Sequence, residues 1–227
     1  MNESVFKGPA VRPRDAATLI LYRKSREAVE ILMGERHGGH SFMPNRYVFP
    51  GGRVDVSDWR VRAAGELRPA VARRLAVAAT PTRARALAAA AIRETFEETG
   101  LVVGRSDPRP HLAVPENWRA FFSMGYAPAL DVLDYAVRAV TPPYRPKRFN
   151  ARFFVADAGH AEGTLKGSGE LLDLRWIPVA DALKLELPSI TAVVLQQIAT
   201  LIDRRPGEDR PVKLYRYLRG KHTYGEE

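Results

Sequence analysis

Arg93-Glu94-Thr95-Phe96-Glu97-Glu98-Thr99-Gly100-Leu101 is the segment that most restricts what this chain can become. The residues before it, from about Arg83, are rich in Ala, Leu and Ile and predict a helix. Thr82 is its expected N-cap behind Pro81, and Gly100 is the residue that ends it. On that helix Glu94, Glu97 and Glu98 stand at i, i+3 and i+4, on one face and one turn apart. Arg93 is four residues before Glu97 and is placed to pair with it, fixing its rotamer. Three like charges so close repel one another. Glu97 and Glu98 also fall in the last turn, where the helix dipole already disfavours carboxylates and favours Lys or Arg. A solvated acidic helix end is the competing reading. An arrangement that opposes local stability is nevertheless the mark of a functional site. A hard divalent cation, Mg2+ or Mn2+, resolves the conflict, because it takes oxygen ligands and bridges carboxylates to substrate phosphates.

The rest of the chain predicts a mixed α/β (α+β) class with antiparallel pairs. Ala16 to Tyr22 and Val29 to Met33 read as two strands of a hairpin. Tyr47-Val48-Phe49 is a short strand that stops at Pro50-Gly51-Gly52, where the backbone can turn sharply. Residues 54–82 look like helical segments rich in Ala and Arg, broken at Gly65, Pro69 and Pro81. A second irregular or helical stretch covers about 110–133, with Trp118, Phe121 and Phe122 packing inward. The Phe121-Phe122 pair suits either the core or a homodimer interface. Tyr135 to Val140 and Ala151 to Ala156 are expected strands around a Pro-rich loop, Leu171 to Trp176 another strand, and Pro188 to Leu201 an amphipathic helix. A single domain over 1–227 is expected, with the two stretches as insertions.

Composition narrows the function classes. With no cysteine, a disulfide framework, a thiolate metal site and a cysteine nucleophile are excluded. Met1 to Arg14 has no apolar secretory core and no stretch is long enough to span a bilayer, so the expected location is cytoplasmic, without a membrane partner. The net charge of +9 favours anionic partners, nucleic acid or a phosphorylated small molecule. Arginines such as Arg73, Arg74, Arg83 and Arg85 fall in helical stretches and read as a solvated face. No helix-turn-helix, zinc-finger or RNA-binding aromatic motif accompanies the charge, so the small molecule is the expected partner and nucleic acid is not.

These residues resemble the Nudix hydrolase family. Its box runs Gly, five residues, Glu, seven residues, Arg-Glu, an apolar residue, one residue, Glu-Glu, one residue, Gly and an apolar residue. Arg93, Glu94, Glu97, Glu98, Gly100 and Leu101 match the second half, with Thr95 in the apolar slot. Phe49-Pro50-Gly51-Gly52 looks like the opening of the box. Gly52 and Arg93 are 41 positions apart, against 14 in the compact box, so the box is split by an insertion of about 27 residues. The first Glu has no clean counterpart: counting from the glycine gives Asp58, counting back from the arginine gives Arg85, and Asp55, Asp58 and Glu66 are candidates to replace it. The first hairpin, Arg152-Phe153-Phe154-Val155 and Glu170 to Pro178 look like the family's other strands. Phe-Pro-Gly-Gly with a long insertion looks most like the subgroup related to coenzyme A diphosphohydrolases.

The resemblance implies an α/β/α sandwich with a mixed sheet, and a diphosphohydrolase acting on a nucleoside diphosphate linked to a moiety X. Coenzyme A, acyl-coenzyme A, ADP-ribose, NADH and diadenosine polyphosphates all stay open as its source. Glu94, Glu97 and Glu98 would hold Mg2+ or Mn2+, and Arg93 would orient. Glu97 or Glu98 would accept the proton of the attacking water, with Glu170, on the loop after Gly167-Ser168-Gly169, as the alternative base. Gly51 and Gly52 would let the backbone come close, and Arg36, Arg46, Arg145 and Arg148 would bind phosphate, with Lys147, His37 and His40 as further candidates. Tyr144 and Phe149 are candidates to stack a base. The competing reading is a non-catalytic Nudix-fold module that senses a nucleotide or binds nucleic acid.

Overall fold

Alternation in the first hairpin sets the architecture. The computed structural model describes residues 11–39, 44–108, 113–203 and 210–227. β1 (Arg14–Lys24) and β2 (Val29–Arg36) pair antiparallel, as their sequences predict. Along β1, Ala17, Leu19 and Leu21 enter one apolar cluster while Ile20 enters another. This is the period of two by which a strand supplies both faces of a sheet. A strand buried on both faces needs two covering layers, and the chain supplies them.

β3 (Tyr47–Val48) adds to β2, and β4 (Gly51–Arg53) adds to β1, so the chain re-enters the sheet directly after Pro50. β7 (Asp134–Val140) and β8 (Phe149–Asp157) form an antiparallel pair, β8 starting two residues inside the expected loop. β10 (Leu171–Pro178) pairs antiparallel with β2. The C-terminal β11 (Lys213–Leu218) and β12 (Lys221–Glu226) form a hairpin that sequence reasoning missed. Its signal was present: Tyr215 and Tyr217 alternate before Arg219-Gly220, and both turn residues adopt positive φ, 49° and 81°. Positive φ at both central positions is what a two-residue type I′ turn requires.

Among the described residues these strands make a nine-stranded sheet, ordered β10-β2-β1-β8-β7-β11-β12 with β3 and β4 added at its side. The β1–β8 and β7–β11 pairs are parallel and the rest antiparallel, so the sheet is mixed. A smaller sheet is built from β5 (Val102–Ser106), β6 (Tyr126–Pro128) and β9 (Ala161–Glu162).

One face is covered by α1 (Pro69–Ala76) and α2 (Pro81–Thr99), the other by α5 (Ser189–Ile202), with α3 (Arg119–Ser123) and α4 (Val179–Ala182) as short connectors. The α/β/α layering expected above is therefore present. α5 buries Val194, Leu195, Ile198, Leu201 and Ile202, one stripe of an amphipathic helix. α2 starts earlier than predicted. Thr80, not Thr82, is its N-cap, accepting from the Arg83 N–H at 3.3 Å, and Pro81 is the first helical residue. Proline suits that position because its fixed φ is helical and its missing N–H would have no partner there. Gly100 ends the helix in the left-handed conformation with φ 75°, as expected.

The stretch predicted as helical over 54–82 is helical only in part. It has a 3-10 turn, Val56–Trp59, and then α1, while the chain between them is irregular and bridges Gly65 to Ala129. Gly65 lies against the Arg105–Asp131 ion pair, and a Cβ there would fall on the Asp131 carboxylate. In the second stretch, of which 110–112 lie outside the described residues, Trp118 and Phe121 are fully buried and Phe122 nearly so. That places Phe121 and Phe122 in the core and takes them out of any homodimer surface. No helix among the described residues is long and apolar enough to cross a membrane.

Candidate metal centre

The second half of α2 lies against β4, and this contact positions the carboxylates. Glu98 is 3% exposed and accepts the Gly51 N–H at 3.0 Å. Glu94 presses on Gly52, where a Cβ would fall on its carboxylate. At Gly51 a Cβ would stand 2.6 Å from the Ala17 carbonyl oxygen. The two glycines are therefore needed for close approach, Gly51 to β1 and Gly52 to the helix.

Arg93 is the hub of the site. Its Nη1 stands 2.9 Å from both Glu94 and Glu97. Its Nε and Nη2 donate to the two oxygens of Asp58 at 2.9 and 3.0 Å, and Nη2 also donates to the Arg53 carbonyl. Asp58 is completely buried and accepts two further bonds, from the Asp55 N–H at 2.7 Å and from Trp118 Nε1 at 3.0 Å. Such a fully bonded buried pair holds the guanidinium plane in one orientation. Burial opposes the charge of Arg93, and Asp58, Glu94 and Glu97 together override it, so its pKa is raised.

The carboxylates themselves bear the cost of burial. Glu94 is pushed up to about 7 by burial, against the pull of Arg93. Burial also raises Glu97, and raises Glu98 well above the usual range despite its bond from Gly51. Thr95, in the apolar slot of the box, is fully buried, and its hydroxyl donates to the Ala91 carbonyl at 2.7 Å. This back-bond lets a hydroxyl take an apolar position without leaving a polar atom unpaired.

As the side chains lie, no group of three or more Asp, Glu or His among the described residues encloses a metal ion. Glu94 and Glu97 turn to Arg93, and Glu98 turns to Gly51. The donor set fits a hard divalent cation in kind: it is all oxygen, on one helix face, and burial penalises its charge until a cation offsets it.

Other predicted residues divide into two groups. Arg36, at the end of β2, is electrostatically coupled to Glu98 and Glu170 and is lowered by burial. Glu170 is exposed, and its carbonyl accepts the His37 N–H at 3.2 Å, so its loop is fastened beside β2. The Arg46 backbone bonds Arg36, while its side chain pairs with Glu186. His37 accepts from Gly39, and His40 lies outside the described residues. Arg145 and Arg148 are not brought to the carboxylates. Arg148 ties its own loop to Val11 and Thr141, by bonds of 2.7 and 3.0 Å. Arg145 lies over Tyr144, whose ring packs on Tyr217 of β11, with β8 and β7 between that strand and β1. Of the three acids weighed to replace the box's first Glu, Asp55 caps the 3-10 turn, Glu66 pairs with Arg85, and Asp58 alone reaches Arg93. Sequence reasoning placed Trp118 in the core but missed its bond to Asp58, 60 residues away, which no local signal announces.

No protein-family model matches the sequence, and no curated protein matches it. Solved structures do. A NUDIX hydrolase from Alicyclobacillus acidocaldarius is 31% identical, covering 84% of this chain and 92% of its own, with a TM-score of 0.66. The NUDIX domain of Shewanella oneidensis NrtR, crystallised with ADP ribose, is 12% identical over 85% of this chain and 90% of its own, with a TM-score of 0.50. A MutT protein from Bacillus halodurans is 13% identical over 94% of this chain and 97% of its own, also at 0.50. The last two likenesses are of fold alone.

Proposed function

Because this chain belongs to the Nudix hydrolase family, we propose that it is a divalent-metal-dependent diphosphohydrolase acting on a nucleoside diphosphate linked to a moiety X. The observation that carries the reading is the Glu94–Glu97–Glu98 face of α2, with Glu98 held by Gly51, Glu94 against Gly52, and Glu94 and Glu97 paired with Arg93. A nucleotide sensor without activity has no need to keep three carboxylates where burial works against their charge.

We read the family's box as split after Asp58. Gly52 to Asp58 keeps the spacing of its first half, and Asp58 meets Arg93 with both oxygens. The inserted residues then fall between Asp58 and Arg93 within one domain, and α1 and the first turn of α2 are their helical parts.

Glu94, Glu97 and Glu98 would hold Mg2+ or Mn2+, which supplies charge neutralisation at the diphosphate and a water acidic enough to react near neutral pH. Arg93, fixed by Asp58, keeps Glu97 in position. The Glu97 side chain is 40% exposed, so it is the carboxylate of the three most open to water and the proposed general base. Glu170, on its loop, is the alternative base. Arg36, which feels the charges of Glu98 and Glu170, and Arg46, whose carbonyl accepts the Arg36 N–H, are proposed to bind phosphate. Phe49-Pro50-Gly51-Gly52 with the long insertion supports coenzyme A or acyl-coenzyme A as the source of X. The ADP ribose bound by the NrtR domain makes that compound the first comparison.

The test is a hydrolysis screen over diphosphate compounds with Mg2+ and Mn2+, identifying products by mass. Cleavage at the diphosphate is expected, and Glu97→Gln and Glu98→Gln are each expected to abolish it with far-UV circular dichroism unchanged. Full activity in both folded variants would sink the assignment.

A further inference from the structure

The large sheet ends in two edge strands, and the chain treats them differently. β10 is one edge. Its register breaks between Leu172 and Arg175, Asp173 there adopts a positive φ of 44°, and Pro178 ends the strand. A bulge and a proline are devices that keep an edge from pairing with another strand. β12 is the other edge, and it has neither. Its residues, Lys221 to Glu226, pair with Leu218 back to Lys213 in an unbroken register. Among the described residues no strand takes its outer side.

The register fixes which backbone groups of β12 face outward. Arg219-Gly220 is a two-residue turn, so Leu218 and Lys221 form a hydrogen-bonded pair. Bonded and non-bonded pairs then alternate, and Lys221, Thr223 and Gly225 direct their N–H and C=O groups to β11. The Glu227 N–H donates to the Val212 carbonyl at 2.8 Å, which continues the same alternation. His222, Tyr224 and Glu226 are left with both backbone groups turned outward. Their side chains share one face, the one on which Tyr224 packs beneath α5.

Outward groups at every second residue make this edge complementary to itself. Let a second β12 lie antiparallel with Tyr224 opposite its own copy. His222 of each copy then falls opposite Glu226 of the other, and every outward N–H and C=O of both strands is bonded. An imidazole meets a carboxylate at both ends of the seam. The Glu226 side chain is 57% exposed although Lys213 holds it at 2.7 Å, so it has room for that second neighbour. Sliding one strand by two residues, the next register that keeps the faces, leaves one residue of each strand unbonded. It also separates His222 from Glu226.

We propose that β12 is a homodimer seam, at which two copies of this chain join edge to edge about Tyr224 into one continuous sheet. A two-fold pair satisfies the edges of both copies at once, whereas a foreign strand would satisfy one. The seam also supplies the homodimer surface that Phe121 and Phe122, both buried, do not.

The experiment is sedimentation equilibrium of the full chain from about 1 to 100 µM, the range suited to a small interface. The wild type is expected to pass from monomer to dimer across it. His222→Pro removes only an outward N–H and leaves the ladder to β11 intact. It should weaken dimerisation at least tenfold, because each dimer loses two hydrogen bonds. His222→Glu and Glu226→Arg should each weaken it severalfold, and the double variant should restore it. Position is read separately. The chain has no cysteine, so Gly225→Cys supplies a single thiol, and a Cβ there meets no neighbour within 4 Å. Across the seam the two thiols would lie about 8 Å apart, and a bismaleimide of that length should join them. Arg219→Cys, in the turn, would lie about 34 Å from its copy and should stay unlinked. These measurements need no substrate, so they stand whatever the carboxylate site hydrolyses. A chain that stays monomeric at the highest concentration overturns the proposal, which is the outcome if the edge takes only a foreign strand. So does a dimer that His222→Pro leaves as tight as the wild type. A dimer linked through Arg219→Cys and not through Gly225→Cys overturns it as well. Should His222→Pro unfold, the charge exchange and the cross-links decide.

Discussion

The second half of α2 and the C-terminal hairpin turn carry their charges differently. Beneath α2, Glu98 is 3% exposed and Glu94 has 15% of its side chain exposed, each held by a named donor. Around the hairpin turn, Arg219 and Lys221 are exposed. A charge taken out of water interacts strongly with a few neighbours and is costly when one of them is lost. An exposed charge is screened and interacts weakly with many. The first arrangement suits chemistry at one fixed point. Substitutions on the α2 face should therefore act singly and strongly, and those on the hairpin weakly unless combined.

Asp58→Ala should have the largest effect on stability. It leaves the Arg93 guanidinium, 5% exposed, without the carboxylate that takes two of its bonds. Removing one partner of a buried pair costs about 3–5 kcal/mol. For a chain of this size the melting temperature should drop by roughly 10 °C or more, measured in excess Mg2+. A loss below about 1 kcal/mol would mean that water reaches Arg93 and that the α2 face is not the low-dielectric region described.

The carboxylates should give the next largest effect, through pH. Glu94 is pushed from an ordinary 4.5 to about 7 by burial, and Glu98 is raised by the same cause. With a folded pKa above the unfolded one, the folded state keeps its proton while the unfolded state gives it up. The contribution is thus present below about 4.5 and is lost as pH rises through about 7. For Glu94 the loss is about 3 kcal/mol at 1.36 kcal/mol per unit. In EDTA the protein should melt at a lower temperature at pH 7.5 than at pH 5.5, and Mg2+ should restore more at the higher pH. Glu94→Gln should reduce the slope. A stability in EDTA that is flat across this range would remove burial as the cause.

These two predictions also mark how far sequence could be followed. The strands, α2 and α5 are local: alternation, helical spacing, Pro81 and Gly100 are written within each segment, and the carboxylate face could be read from i, i+3 and i+4. What could not be read depends on which distant segments meet. Asp58 was one of three acids near the insertion, and only the folded chain shows that it meets Arg93 while Glu66 meets Arg85. Arg145 and Arg148 looked like phosphate ligands because they are loop arginines, but Arg148 is engaged with Val11 and Thr141 and Arg145 lies over Tyr144. The hairpin was missed although its alternation was visible, because without its parallel pairing to β7 a short C-terminal run gives no reason to belong to the sheet.

Trp118→Phe tests the α2 face at an intermediate scale. The indole N–H is one of the donors to Asp58 and comes from a segment with no charge of its own to contribute there. Hydrogen bonds to charged groups contribute about 1.5–3 kcal/mol, so a loss of about 2 kcal/mol is expected, smaller than for Asp58→Ala because Arg93 keeps its partner. The apparent affinity for Mg2+ should weaken as well, since Asp58 orients Arg93 and Arg93 orients Glu94 and Glu97. An unchanged Mg2+ affinity beside the stability loss would limit Trp118 to packing.

Lys221→Glu alone should be nearly silent, and that is what distinguishes the hairpin from the α2 face. Lys221 is exposed and lies opposite Leu218 at the hairpin turn, so no buried partner is stranded when its charge reverses. Surface changes of this kind stay within about 0.5 kcal/mol, and the melting temperature should move by no more than roughly 2 °C. A loss above about 1 kcal/mol from Lys221→Glu alone would show that this lysine is pinned in the folded state. The hairpin would then hold its charges as tightly as α2 holds its carboxylates, and the contrast between the two faces would not stand.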